Sequence, residues 1–267
     1  MMQHFGLLWR HRALISVLTQ RELAARYRAS VLGFFWSLLN PLMVLAVYAV
    51  VFTTVFQPRF EGGRPYPLFL FAGLLPWMFF SGAILDAAIT LVDNGPLLAK
   101  VMCPPELFPA VVVLSHLVHH LFALPVLIGA MWIASAFGWH VFPWTMVLLP
   151  LALIPWILVA AGGAAAISAM AVRLRDLRDL VNHFLNLLFF ASPIIYSLDV
   201  QQMPGALIKV LRLNPMAPLV TVYRDVVFTG KTPPLSQWGL AYGFGILAWI
   251  LGSMIFSRLR DSLVEAV

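Results

Sequence analysis

From Leu107 to Val172 the chain carries no aspartate, glutamate, lysine or arginine. A water-soluble core interrupts such a run every few residues with a polar face, so a stretch of this length belongs in a bilayer. A helix rises about 1.5 Å per residue, and some 20 apolar residues cross a hydrocarbon core about 30 Å thick. Six stretches meet that length: Val31 to Phe56, Pro67 to Val92, Leu107 to Phe137, Phe142 to Val172, Leu180 to Leu198 and Trp238 to Phe256. The fifth is the most polar, with Asn182, His183 and Asn186 in its first turns. Composition agrees: 61% of the 267 residues are hydrophobic and 10% charged, far from a soluble average. The expectation is an all-α, polytopic membrane protein with six transmembrane helices.

The net charge of +6 is then read for its location, since arginine and lysine orient membrane proteins. With six spans both termini share a side. Arg10, Arg12, Arg21, Arg26, Arg28, Lys100, Arg173, Arg175, Arg178, Arg258 and Arg260 fall on that side, 11 of the 17 basic residues. Arg59, Arg64, Lys209, Arg212, Arg224 and Lys231 fall on the other, which predicts cytoplasmic termini. Topology accounts for the charge without a nucleic-acid partner. The single cysteine, Cys103, allows no intrachain disulfide.

The first 30 residues lack the pattern of a cleaved signal peptide. Leu7, Leu14, Ile15 and Leu18 share a helical stripe, with Arg10, Arg21 and Arg28 along its edge. That predicts an amphipathic helix at the membrane surface, its arginines near lipid phosphates; a solvated helix packed on a partner is the alternative. Residues 199–237 hold five prolines around two short amphipathic runs, GALIKVLRL and LVTVYRDVVF. They suit two half-length re-entrant helices, tolerated at membrane depth only where protein buries them, or an ordinary outer loop. The chain thus reads as one transmembrane domain over 1–267: an interfacial helix (1–30), spans one to five (31–198), an outer segment (199–237), and span six with its tail (238–267).

Motifs exclude several chemistries. FTGKTPP at 228–234 imitates the end of a phosphate-binding loop, but Asp225 stands where the first glycine belongs and Pro233 and Pro234 where helical N–H groups should cradle phosphate. A chain without such a loop is passive, ion-coupled, or driven by a partner that binds ATP. No serine elbow, HExxH motif or facing carboxylate pair supports hydrolysis. His116, His119 and His120 supply at most two ligands to one face, short of a zinc set, and suit hydrogen bonding between helices. Asp86 is the intramembrane carboxylate placed to carry protons, or to pair with an arginine. An ion-coupled small-molecule transporter using Asp86 and these histidines is therefore an alternative reading. Phe34, Phe35, Trp36, Trp77, Phe79, Phe80, Phe189, Phe190 and Tyr196 fit an interfacial aromatic belt, or in part a channel wall on which sugar rings stack.

Four stretches, in order, resemble one family. RELAARYRASVLGFFWSLLNP (21–41), FAGLLPWMFFS (71–81), VRLRDLRDLVNHFLNLLFFASPIIYSLDVQQMP (172–204) and LNPMAPLVTVYRDVVFTG (213–230) are similar to the membrane subunit of ABC-2 type ATP-binding-cassette polysaccharide exporters, which move O-antigens, capsular polymers and teichoic acids. The resemblance implies a homodimer in the bacterial inner membrane bound to two copies of a nucleotide-binding subunit. ATP and Mg belong on that partner, and this chain binds no cofactor of its own. The implied cargo is a lipid-linked, O-antigen-type polysaccharide; an exporter of lipid or drug is the variant reading. Contacts to the nucleotide-binding subunit fall on Arg21, Glu22 and Arg26, on Leu97 and Lys100 in a short coupling helix, and on Arg173, Asp176, Arg178 and Asp179. Trp36, Trp77, Phe80, Phe189 and Tyr196 are the expected channel residues. Tyr223, Arg224 and Asp225 are the expected outer gate, with Arg224 pairing across the dimer.

Overall fold

The computed structural model describes residues 6–7, 9–27, 30–55, 65–95, 103–139, 141–174, 176–197 and 205–266. All regular structure among them is helical. In chain order the helices are α1 (Arg12–Arg26), α2 (Trp36–Val50), α3 (Tyr66–Asp93), α4 (Leu107–Ala136), α5 (Leu149–Ala171), α6 (Leu177–Ala191), α7 (Gly205–Arg212), α8 (Met216–Arg224) and α9 (Leu235–Ala266). Single π turns extend α2 over Val51–Val55 and α8 over Asp225–Thr229, and a 3-10 turn, Trp144–Leu148, leads into α5.

Among the described residues, five segments are long and apolar enough to cross a membrane: Trp36–Thr54, Tyr66–Asp93, Leu107–Ala136, Trp144–Ala171 and Leu235–Arg260. The expected fifth span differs. α6 has 15 residues, about 22 Å of helix, and stops at Ser192 because Pro193 follows. Proline disfavours helical geometry in the residue before it, and Ser192 is extended at φ −96°, ψ 146°.

Helix α3 is the centre of the bundle: 78% of its most apolar window is buried, against 11% for span one. It packs on α2, α4, α5, α6 and α8. Between helices in a bilayer apolar burial gains little, because lipid is equally apolar; close backbone approach and hydrogen bonds hold the bundle instead. Both appear between α5 and α9. A Cβ on Gly252 would overlap the Gly162 backbone, and one on Gly162 would overlap that of Ala248. Higher on the same pair, Pro155 inside α5 cannot bond the Leu151 carbonyl. The Tyr242 hydroxyl of α9 donates to that carbonyl at 3.0 Å.

Helix α1 lays Ile15 against Leu107 and Val111 at the start of α4, while Trp9, Leu14 and Val17 stay exposed. Helix α8 is buried along nearly its whole length, among α3, α5 and α9. The Trp156 ring N–H donates to Leu219 O at 3.3 Å and Thr145 Oγ1 to Val226 O at 2.7 Å, tying this short segment to α5 and to the turn before it.

Candidate functional site

The junction between α1 and span one is a built turn. Ser30 N–H donates to Tyr27 O and Gly33 N–H to Ser30 O. Gly33 takes φ +51°, a conformation that a Cβ disfavours. The Trp36 ring N–H donates to Ser30 Oγ at 3.0 Å, so the serine at the seam fixes the tryptophan that opens the span.

The end of α1 enters the bundle here. Arg26 forms an ion pair with Asp86 of α3, and His116 of α4 contacts the same carboxylate oxygen at 2.8 Å. Next to it, the Tyr27 hydroxyl lies 3.1 Å from His119 Nδ1. Gly82 makes the room: a Cβ there would stand 2.6 Å from His116 Cε1. Each charge of the Arg26–Asp86 pair is about one-third exposed, at 32%. Arg26, read in the sequence as a partner contact, and Asp86, read there as a proton carrier or as the partner of an arginine, thus neutralise each other. The complementary signs at positions 26 and 86 were the available signal.

A second polar cluster joins the S-P-I-I-Y stretch to the N-P...R-D stretch. Asn214 accepts from Met216 N–H at 2.9 Å, satisfying a free donor at the start of α8. Its amide donates to Ala191 O at 2.9 Å and Ser192 Oγ at 3.0 Å, at the end of α6. Arg224 donates to Pro193 O and Ile194 O, both at 2.7 Å, and its guanidinium carbon sits 3.7 Å from the Phe69 ring centre. The Tyr66 hydroxyl donates to Ile195 O at 2.5 Å. Every carbonyl from Pro193 to Ile195 therefore has a donor. Arg224 is buried, and these bonds are within its own chain. Gly73 leaves space for it, since a Cβ there would overlap the guanidinium.

His120 lies between the two clusters. Its Nδ1 is 3.3 Å from Leu75 O and its Nε2 3.3 Å from the hydroxyl of fully buried Tyr223. Asp225 accepts from Thr229 Oγ1 at 3.0 Å. Gly230 then closes the helix in the left-handed conformation. FTGKTPP thus ends a helix, where a phosphate loop would open one.

The five aromatic candidates separate by burial. Trp77 and Phe80 are each 6% exposed; Trp77 packs at 5.7 Å on Phe189, and Phe80 at 6.2 Å on Trp156. Phe189 and Tyr196 are half-buried, and Trp36 is 41% exposed. Tyr196 donates to Phe190 O at 3.2 Å.

Of the expected contacts to a nucleotide-binding subunit, Arg21, Arg173, Asp176, Arg178 and Asp179 are exposed and Glu22 half-buried. Leu97 and Lys100, with the rest of the coupling helix, lie outside the described residues. After that loop, buried Glu106 bonds Arg260 of α9 at 3.1 Å. Burial first, then the Glu106 charge, pushes up the neighbouring Cys103 thiol.

The profile of the ABC-2 type transporter family matches residues 13–228. The O-antigen export system permease protein RfbA of Myxococcus xanthus is 34% identical over 262 residues, 97% of either chain. Two proteins of the same name from Klebsiella pneumoniae are 26% identical over 252 residues, 94% of either chain.

Proposed function

As this chain belongs to the ABC-2 type transporter family, we propose that it is the membrane subunit of an ATP-driven exporter of lipid-linked, O-antigen-type polysaccharide. Two copies form the channel between them, and two copies of a separate nucleotide-binding subunit hydrolyse ATP. Likeness to O-antigen export permeases along nearly the whole chain carries this reading. The two polar clusters support a mechanism for it. Movement of the partner subunit reaches α1, and the Arg26–Asp86–His116 contacts pass it to α3 and α4. The cluster from Asn214 to Arg224 holds the end of α6 to α8, which acts as the outer gate and lies re-entrant in the outer leaflet. Membrane lipids contact the exposed face of α1.

Co-expression with the nucleotide-binding subunit and the polymer-synthesising enzymes tests it. Polymer should appear outside the inner membrane only with a hydrolysis-competent partner, and undiminished export with a hydrolysis-dead partner would falsify the reading. For the ion-coupled alternative, engagement of Asp86 by Arg26 and His116 speaks against a freely titrating carrier. Transport driven by a proton gradient without any ATPase would restore it.

A further inference from the structure

Prolines stand inside four spans: Pro41 in α2, Pro76 in α3, Pro125 in α4 and Pro155 in α5. Contacts between helices put them near one level of the bundle. His120 meets Leu75 O, which places Pro125 within about 8 Å of the Leu75 level. Phe80 meets the ring of Trp156, beside Pro155, and Pro41 shares a cavity wall with Leu75 and His120. Each proline denies a bond to the carbonyl one turn earlier. At Leu151 the Tyr242 hydroxyl replaces it. No side chain among the described residues does so at Ala72 or Leu121, one turn before Pro76 and Pro125.

Contacts divide at that level. Helix α1 touches Asp86, Leu107, Val111, His116 and His119, all on one side of it. Helix α8 and its π turn touch Phe69, Gly73 and Thr145 on the other. At the far end of the α1-side halves, Leu91 and Phe108 pack with Ala169 and Phe256, and Arg260 Nε–H of α9 donates to Glu106 Oε1 at 3.1 Å. Apolar packing between helices gains little in a bilayer, so this one charged contact weighs heavily. It is only half made. Glu106 is 5% exposed, and its Oε2 has no hydrogen-bond partner among the described residues. A buried carboxylate oxygen without a donor opposes the closed arrangement. Opening hydrates Glu106, while Arg260, 48% exposed, already reaches water.

We propose that the Glu106–Arg260 contact is a latch and the proline level a joint. When the latch opens, the α1-side halves of α3 and α4 swing away from α9 while their α8-side halves stay with α8. A partner's motion then opens the α1 end while α8 keeps the other end shut; that use of the joint rests on the export reading.

The full chain is tested in lipid nanodiscs, with Cys103→Ser and with labelled chains diluted into unlabelled ones, by pulsed electron-resonance distances between spin labels on exposed positions of α4 and α9. Leu114→Cys with Met254→Cys reports the α1 side, and Trp132→Cys with Leu240→Cys the α8 side. A turn of about 20° at Pro125 carries position 114, about 16 Å away, by about 5 Å. Arg260→Gln should therefore add an α1-side distance about 5 Å longer and leave the α8-side distance unchanged. Adding Pro76→Ala and Pro125→Ala restores the helix bonds and should abolish the second distance; either single replacement serves where both together do not fold. Pro150→Ala, in the first turn of α5 where no helix bond is missing, should leave it in place. Unchanged distances in Arg260→Gln overturn the proposal. So does a second distance that persists without Pro76 and Pro125, one that vanishes in Pro150→Ala, or an equal shift on the α8 side. No partner or nucleotide enters the measurement, so its result is separable from export. Latch and joint without ATP-dependent export sink the exporter reading alone, and export without them sinks this proposal alone.

Discussion

At the scale of single residues, the Arg26–Asp86 pair decides what either substitution does. Asp86→Asn leaves Arg26 without its counter-charge beside His116. Breaking a fully buried pair from one side costs several kcal/mol. With each side chain about one-third exposed, solvent screening reduces that to about 1–2 kcal/mol. The double variant Arg26→Gln with Asp86→Asn removes both charges and should recover most of the loss. A double-mutant cycle on denaturant unfolding in micelles measures the coupling, and additive effects would show the pair to be inert. Arg224 gives a sharper case. Its two bonds at 2.7 Å pin the guanidinium that a Cβ on Gly73 would meet, so Gly73→Ala should destabilise by about 1–3 kcal/mol. Melting unchanged in Gly73→Ala would mean that the guanidinium swings aside freely. Residue types were legible in the sequence, as was the option that Asp86 pairs with an arginine, but which residues pair was not. Asp86 stands 60 positions from Arg26 and Arg224 about 30 from the carbonyls it bonds. Nothing in linear order tells an arginine which groups of its own fold it will meet.

At the scale of helices, hydrophobic length made four spans legible within a few residues of their ends, and span one apart from its opening turn. The fifth stretch was apolar enough, but its helix is shorter than expected, because Ser192–Pro193 ends α6 after 15 residues. Apolar length reports where a chain sits, while proline decides how far a helix runs within it. The same residue type shows the converse in α5, where Pro155 leaves the Leu151 carbonyl free and Tyr242 bonds it. Tyr242→Phe keeps the ring and loses this one bond, so about 1 kcal/mol of stability should go. The α5–α9 crossing depends more heavily on its glycines. Gly252→Ala places a methyl into the Gly162 backbone, which cannot rotate away as a side chain can. The helices must part, at about 1–3 kcal/mol, whereas Gly243→Ala, with nothing within 4 Å, should be neutral or slightly stabilising. Melting of the purified protein compares the two, and equal effects would remove close approach as the reason for glycine at 252.

Across the whole molecule, the two polar clusters lie at opposite ends of a connected route, with His120 and Tyr223 between them. Packed helices shift between discrete arrangements more readily than they bend. A force on α1 should therefore reach α8 only if the turn from Tyr27 to Trp36 is stiff. Gly33 tests that stiffness because its φ of +51° can be penalised without touching any contact, there being nothing within 4 Å of a Cβ at that position. Alanine in the left-handed region costs about 1–2 kcal/mol, and asparagine less. If the turn must hold this shape, Gly33→Ala lowers polymer exported per ATP hydrolysed several-fold, and Gly33→Asn restores most of it. Protein level and basal ATPase activity of the assembled complex should stay near wild type in both, since neither substitution disturbs packing. Full export in Gly33→Ala would reduce the turn to an anchor. Equal loss in both variants would mean that glycine serves mobility there, so that the turn works as a hinge whose two states share α1 and differ in the tilt of span one.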